Sequence, residues 1–67
     1  MEIVKNIDSY CAKENVTTQE FERRCKLAHG LVRKWRIGLQ APTLRTMNKI
    51  IEATGVPYEK WNMENGV

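Results

Sequence analysis

Apolar residues recur in this chain at the spacing of one face of an α-helix, and no segment alternates with the period of a β-strand. In residues 3 to 11, for example, the apolar positions are i, i+1, i+4, i+7 and i+8, which lie on one side of a helix. These stripes and the breaks between them predict an all-α fold of five helices, over about residues 2–13, 18–26, 28–37, 44–54 and 57–63.

Capping residues support these boundaries. Thr17 is the expected N-cap of the second helix, and Glu20, three residues later, is placed to complete a capping box. Thr43 is the expected N-cap of the fourth helix, and Gly55 is expected just after its end. Core-facing positions are expected on the second helix at Phe21, Cys25 and the stem of Arg24, and on the fourth at Leu44, Met47, Ile50 and Ile51.

The size of the chain predicts one domain over residues 1–67. A domain of this size buries only about 60% of its unfolded surface, so a partner subunit would help its stability. Cys11 and Cys25 fall on apolar helix faces and are expected to be core thiols of a cytoplasmic protein. No apolar run approaches the roughly 18 residues of a membrane span, and the acidic start is not that of a signal peptide. We therefore expect a soluble cytoplasmic protein with no membrane partner.

Charge is divided along the chain by sign. The segment from Arg23 to Lys49 contains eight basic residues and no Asp or Glu, so its formal charge is +8. Residues 1–22 have two lysines against five acidic residues, and residues 50–67 have one lysine against three, which leaves the chain at +3. A field of one sign attracts a polyanion more strongly than the same charges interspersed, so the middle of the chain is expected to meet nucleic acid.

Two short helices joined by a tight turn, the second of them basic, form the helix-turn-helix arrangement. With Thr18 as its first residue, such a unit needs apolar residues at its fourth, eighth, tenth, fifteenth and eighteenth places. The chain has there Phe21, Cys25, Leu27, Val32 and Trp35. The pattern Trp-x-x-Gly-x-x-x-Pro-x-x-x-x-Met-x-Lys-Ile follows, at Trp35, Gly38, Pro42, Met47, Lys49 and Ile50. Over about residues 3–61 the chain therefore resembles the lambda-repressor-like, or Cro-type, family of DNA-binding proteins.

The resemblance implies a domain of five helices, in which the second and third form the helix-turn-helix and the third enters the major groove of double-stranded DNA. The family's base-reading places fall on His29, Gly30, Arg33 and Lys34. Phosphate contacts are expected at the amino end of the second helix and around the start of the fourth, from Thr18, Gln19, Gln40, Thr43 and Arg45. The family usually binds near-palindromic operators as dimers, so we expect a homodimer that acts as a transcription regulator, most simply a repressor of bacterial, phage or mobile-element type.

Three residues depart from the family's pattern. Glu22 stands where a small residue is usual, and we expect its carboxylate to turn outward or to pair with Arg33 or Arg36. Lys26 stands where the turn prefers Gly, and a left-handed conformation there would cost about 1 kcal/mol relative to Gly. Ala28 stands where the third helix usually has a hydroxyl N-cap.

Two alternatives to a sequence-specific regulator remain open. The same fold can serve as a protein-interaction module, such as an antitoxin-like adaptor, or as a non-specific nucleic-acid binder acting through charge alone. An enzyme is not expected, because the chain has one His, no Gly-rich phosphate loop and no paired carboxylates, and no metal, cofactor or small-molecule substrate is expected either. Apolar residues near the carboxyl end form a dimer seam or cover the core: Tyr58, Trp61, Met63 and Val67.

Overall fold

The computed structural model describes all residues, 1–67, and contains five α-helices and no strand. This confirms the predicted all-α fold with five helices. The helices are α1 (Glu2–Glu14), α2 (Thr18–Arg24), α3 (Leu31–Arg36), α4 (Leu44–Thr54) and α5 (Tyr58–Asn62). None of them is long and apolar enough to cross a membrane.

The core lies between α1 and the helices that pack on it, α2, α3 and α5, with α4 packed against α5. All five apolar places of the motif are buried, at 0 to 8% exposure: Phe21, Cys25, Leu27, Val32 and Trp35. Trp61 of α5 is also fully buried, and its ring centroid lies 5.9 Å from that of Tyr10 and 6.3 Å from that of Phe21. Trp61 thus covers the core of its own chain, whereas Tyr58 and Met63 are about half exposed, at 47% and 49%.

Both cysteines are buried and free, as expected of core thiols. Burial raises the pKa of the Cys25 thiol to about 11, and it also raises the pKa of Cys11. Because the thiolate is the reactive form, both groups are packing residues under neutral conditions.

Two residues expected in the core lie outside it. Leu44 is 72% exposed, and its neighbours Thr43 and Arg45 are exposed too, so the first turn of α4 extends beyond the core. The side chain of Arg24 is about half exposed, and its guanidinium lies 3.9 Å from the carboxylate of Glu14. The buried place beside Phe21 is taken by Glu22 instead.

Helix ends follow local capping chemistry. α1, α2 and α3 are each followed by a residue with positive φ, at Asn15 (56°), Lys26 (58°) and Gly38 (78°). In each case the next N–H donates to a carbonyl five residues back, as in the Schellman motif: Val16 to Cys11, Leu27 to Glu22, and Leu39 to Lys34. Lys26 therefore has the left-handed conformation that its place in the turn predicts.

At the amino ends, the hydroxyl of Thr17 accepts the N–H of Glu20 at 3.1 Å. The Glu20 carboxylate does not return a bond, so the expected capping box is half formed. The complete box is on α4, where Thr43 and Thr46 exchange side-chain and backbone hydrogen bonds.

The segment after α5 is bound to α1 by one buried amide. Asn6 is 2% exposed, and its Nδ2 lies 3.2, 2.6 and 2.9 Å from the carbonyl oxygens of Lys60, Trp61 and Met63. Its Oδ1 accepts the N–H of Val67 at 3.2 Å. Asn6 therefore links α1 to carbonyl groups at the end of α5, where the last carbonyls of a helix lack the N–H partner that the next turn would supply.

Candidate nucleic-acid interface

A buried carboxylate joins α2 to the start of α3. Glu22 is 3% exposed; its Oε1 accepts the backbone N–H of Gly30 at 3.1 Å, and its Oε2 accepts that of Val32 at 2.9 Å. The first N–H groups of a helix have no partner within it, and a negative charge there also complements the helix dipole. Glu22 therefore performs the N-cap role for α3 from the neighbouring helix.

This contact replaces the expected outward orientation of Glu22 and its expected pairing with Arg33 or Arg36. The same contact explains a second difference from the prediction. Helix α3 begins at Leu31 and not at residue 28. Ala28 offers no capping oxygen, and the chain continues through Gly30, at φ 82°, before it reaches the N–H groups that Glu22 accepts.

The four residues predicted to contact bases divide between two elements. His29 and Gly30 lie in the turn before α3, and Arg33 and Lys34 lie on α3. The side chains of His29, Arg33 and Lys34 are exposed. No atom lies within 4 Å of the position that a Cβ would have at Gly30, so the backbone there is open to an approaching molecule.

The exposed cations and the buried residues of α3 lie on opposite faces. Val32 and Trp35 are 0% and 2% exposed and point into the core, whereas Arg33 and Lys34, between them in sequence, are exposed. Glu22 holds the amino end of the helix and the turn at Gly38 ends it. A six-residue helix with two anchored ends presents its cations from a defined position.

His29 contacts the start of α2. Both of its ring nitrogens lie 3.4 Å from Nε2 of Gln19, so a predicted base contact and a predicted phosphate contact are adjacent. The same two side chains line a shallow pocket of about 260 Å³, together with Glu22, Arg23 and Leu27.

The remaining phosphate candidates lie at two helix starts. Thr18 and Gln19 are the first residues of α2, and their N–H groups have no acceptor in the chain. Gln40 and Arg45 are exposed on either side of the α4 N-cap. The Thr43 hydroxyl is already engaged, since it accepts the N–H of Thr46 at 3.2 Å.

The eight cations of the basic segment are not equally available. The carboxylate of Asp8 accepts hydrogen bonds from both terminal nitrogens of Arg36, each at 2.9 Å. These bonds lower the pKa of Asp8 and raise the pKa of Arg36. Lys49 donates to the carbonyl of Lys26 at 3.3 Å. Arg24 is the other cation with a carboxylate partner. Five form neither an ion pair nor a side-chain hydrogen bond: Arg23, Lys26, Arg33, Lys34 and Arg45.

Sequence reasoning missed two polar contacts that hold this surface in place. Glu22 does have a signal, because it lies one residue after Phe21 and three before Cys25 on a buried face, where a carboxylate needs a partner. The pairing of Asp8 with Arg36 spans 28 residues and has no local signal. The Asp8 contact ties the carboxyl end of α3 to α1, as Glu22 ties its amino end to α2.

No group of three or more His, Cys, Asp or Glu side chains is arranged to hold a metal ion. The chain was also compared with known proteins. No protein-family model matches it, and no curated protein or solved structure gives a significant match.

Proposed function

We propose that this chain is a sequence-specific double-stranded DNA-binding transcription regulator, most simply a repressor, with α2 and α3 as a helix-turn-helix in a lambda-repressor-like domain. The observation that carries the proposal is the set of unpaired cations on the exposed face of α3, next to the turn held by Glu22. An exposed helix face of this width fits the major groove of B-DNA, where base edges differ between all four base pairs.

In this mechanism α3 supplies sequence recognition. Arg33 or Lys34 donates to O6 and N7 of guanine, for which a bidentate contact is worth about 1 to 3 kcal/mol of discrimination. His29 donates from the turn, and the open backbone at Gly30 lets the turn approach the groove. Glu22 keeps these groups in one orientation relative to α2, although it is too buried to touch DNA.

The phosphate contacts position the domain without reading sequence. The free N–H groups of Thr18 and Gln19 lie on one side of α3 in sequence, and Gln40, Thr43 and Arg45 lie on the other. Backbone phosphates on the two sides of the groove are their partners. Arg36 contributes little to this attraction, because Asp8 already neutralises it.

A second copy completes the site. The longest extent of the chain is 23 Å, whereas half-sites read from one side of the duplex are about 34 Å apart. One copy therefore covers one half-site, and a near-palindromic operator binds a homodimer.

Selection of duplexes from a random library tests the proposal. We expect a near-palindromic winner that binds at least about 10³-fold more tightly than a scrambled duplex at the same near-physiological salt. A ratio near one would contradict sequence-specific binding and would favour the two alternatives, a protein-interaction module or a non-specific binder.

A matched pair of variants then tests the role of α3. Arg33→Ala should weaken binding to the selected site by about 1 to 3 kcal/mol and relax preference at one base position. Lys13→Ala is the control, because it removes an exposed, unpaired cation from α1. It should leave base preference unchanged. Equal losses on all duplexes for both variants would contradict base recognition by Arg33.

A further inference from the structure

Two apolar surfaces of opposite charge are exposed on different elements of this chain. We define the basic apolar surface as Ile37, Leu39 and Leu44, with the neighbouring cations Lys34 and Arg45. We define the acidic apolar surface as Tyr58 and Met63, with the neighbouring carboxylates Glu59 and Glu64. We propose that these two surfaces bind each other between copies, so that the protein associates head to tail.

The basic apolar surface contains the three most exposed large hydrophobic side chains of the chain. Ile37, Leu39 and Leu44 are 65, 68 and 72% exposed, although they occur within eight residues of each other. The turn after α3 is fixed by the N–H groups of Leu39 and Gln40, which both donate to the carbonyl of Lys34. Leu44 follows in the first turn of α4. Aliphatic groups concentrated in this way on a small domain are typical of a protein contact.

The acidic apolar surface is on and just after α5, which packs on α1 and α4. Tyr58 is 47% exposed and Met63 is 49% exposed. Glu59 and Glu64, which follow them directly in sequence, are exposed and form no ion pair. Hydrogen bonds from Asn6 hold this segment on α1, so it has a defined surface.

Charge decides which surface fits which. Residues 33–45 contain four cations and no acidic residue, so a symmetric contact between two basic surfaces would bring like charges together. Residues 58–64 contain two carboxylates and Lys60, with a net charge of −1. When the basic apolar surface of one copy meets the acidic apolar surface of another, its aliphatic side chains face Tyr58 and Met63. Its cations then face the carboxylates. All five apolar side chains stay exposed within one copy, so the two surfaces do not satisfy each other there.

The contact is of the weak, reversible class. A standard interface buries about 800 Å² on each partner, roughly a sixth of the 4510 Å² surface of this chain. Three apolar side chains that face two cover less than this. The contact is also heterologous, because each copy uses a different surface toward each neighbour. Every added copy leaves one surface of each kind free, so association continues beyond a dimer. The symmetric dimer on an operator is a separate contact.

The test is sedimentation without DNA, from about 10 µM to about 1 mM, a range suited to interfaces below about 1,200 Å². For the wild type we expect an average mass that rises past that of a dimer, and that falls when salt is added. One variant, Leu39→Ser with Leu44→Ser, removes the basic apolar surface. The other, Tyr58→Ser with Met63→Ser, removes the acidic one. Each variant alone should be monomeric.

Mixing the two variants gives the decisive result. In an equal mixture each variant keeps the surface that the other lacks, so we expect pairs that form and grow no further. A symmetric interface gives a different result, because one of the variants would then dimerise alone and mixing would restore nothing. That outcome, or a wild type that stays monomeric, would overturn the proposal.

Arg45→Glu and Glu59→Arg form a second pair of variants, which retains the apolar side chains in case the serine variants fold poorly. Each alone should associate less than the wild type, because one contact then brings like charges together. In their mixture the exchanged charges face each other and the unaltered surfaces also pair, so association should again grow past a dimer. Circular dichroism of each variant confirms its helix content. Because no DNA is present, failure here leaves the proposed regulator function untouched, and failure to select an operator leaves this contact untouched.

Discussion

Replacement of Glu22 by Ala should destabilise this domain more than any other exchange of one acidic residue. The change removes two hydrogen bonds to a charged acceptor, at 3.1 and 2.9 Å. The N–H groups of Gly30 and Val32 then have no side-chain acceptor. Bonds to a charged group are worth about 1.5 to 3 kcal/mol each. Two of them give about 3 to 6 kcal/mol, and the carboxylate's burial cost, which Ala does not pay, reduces this to about 2 to 4 kcal/mol.

That loss is a large share of the total. A domain of this length has a free energy of unfolding of about 3 to 10 kcal/mol, and each kcal/mol shifts Tm by about 4 to 8 °C. We therefore expect Glu22→Ala to lower Tm by at least about 8 °C in thermal unfolding followed by circular dichroism. Glu22→Gln keeps one acceptor oxygen and loses the charge, so its Tm should lie between those of Glu22→Ala and the wild type.

Glu20→Ala is the matched control. Glu20 lies on the same helix as Glu22, and its carboxylate forms no hydrogen bond. Its expected cost is at most about 1 kcal/mol, from the helix dipole. Amide exchange at Gly30 and Val32 should accelerate in Glu22→Ala and not in the control. Equal stability of the two alanine variants would refute the capping role of Glu22.

Three further expectations concern other residues. Lys26→Gly should raise the free energy of unfolding in urea by about 0.5 to 1 kcal/mol, because Gly relieves a left-handed φ of 58°, and Asn15→Gly should gain less because Asn tolerates that conformation. The Asp8–Arg36 pair should contribute about 0.2 to 1 kcal/mol in a double-mutant cycle with Asp8→Asn and Arg36→Gln. The lowered pKa of Asp8 means that this contribution is present above pH 3.8, the ordinary value, and is lost as pH falls further; persistence at lower pH would contradict it. The Cys25 thiol, with a pKa of about 11, should react with a thiol reagent at pH 8 only after unfolding, and rapid reaction of the folded protein would show that it is not buried.

The helices and most of the core were predictable because their signals are local. Phe21 and Trp35 belong to stripes that repeat at helical spacing, and such spacing needs only neighbouring residues to be recognised. Leu44 continues a stripe in the same way, yet it is exposed. Periodicity shows which face of a helix is apolar, but it does not show how far along that face the core extends.

The polar contacts were not predictable for the opposite reason. Glu22 accepts N–H groups 8 and 10 residues away, across a turn whose path depends on that same contact. Asn6 bonds to groups 54 to 61 residues away. For the candidate site, sequence indicated the exposed residues His29, Arg33 and Lys34, whereas the start of α3 followed from the Glu22 contact and could not be placed without it.

The buried amide of Asn6 makes α1 depend on residues 60–67, which are synthesised long after it. Its partners are translated more than fifty residues later, and closing so long a loop is slow as well as entropically costly. While a ribosome is still making the middle of the chain, α1 cannot bury this side chain without leaving it unsatisfied. During translation α1 must therefore keep that face in contact with water, so α1 reaches its final packing only after residues 60–67 have emerged.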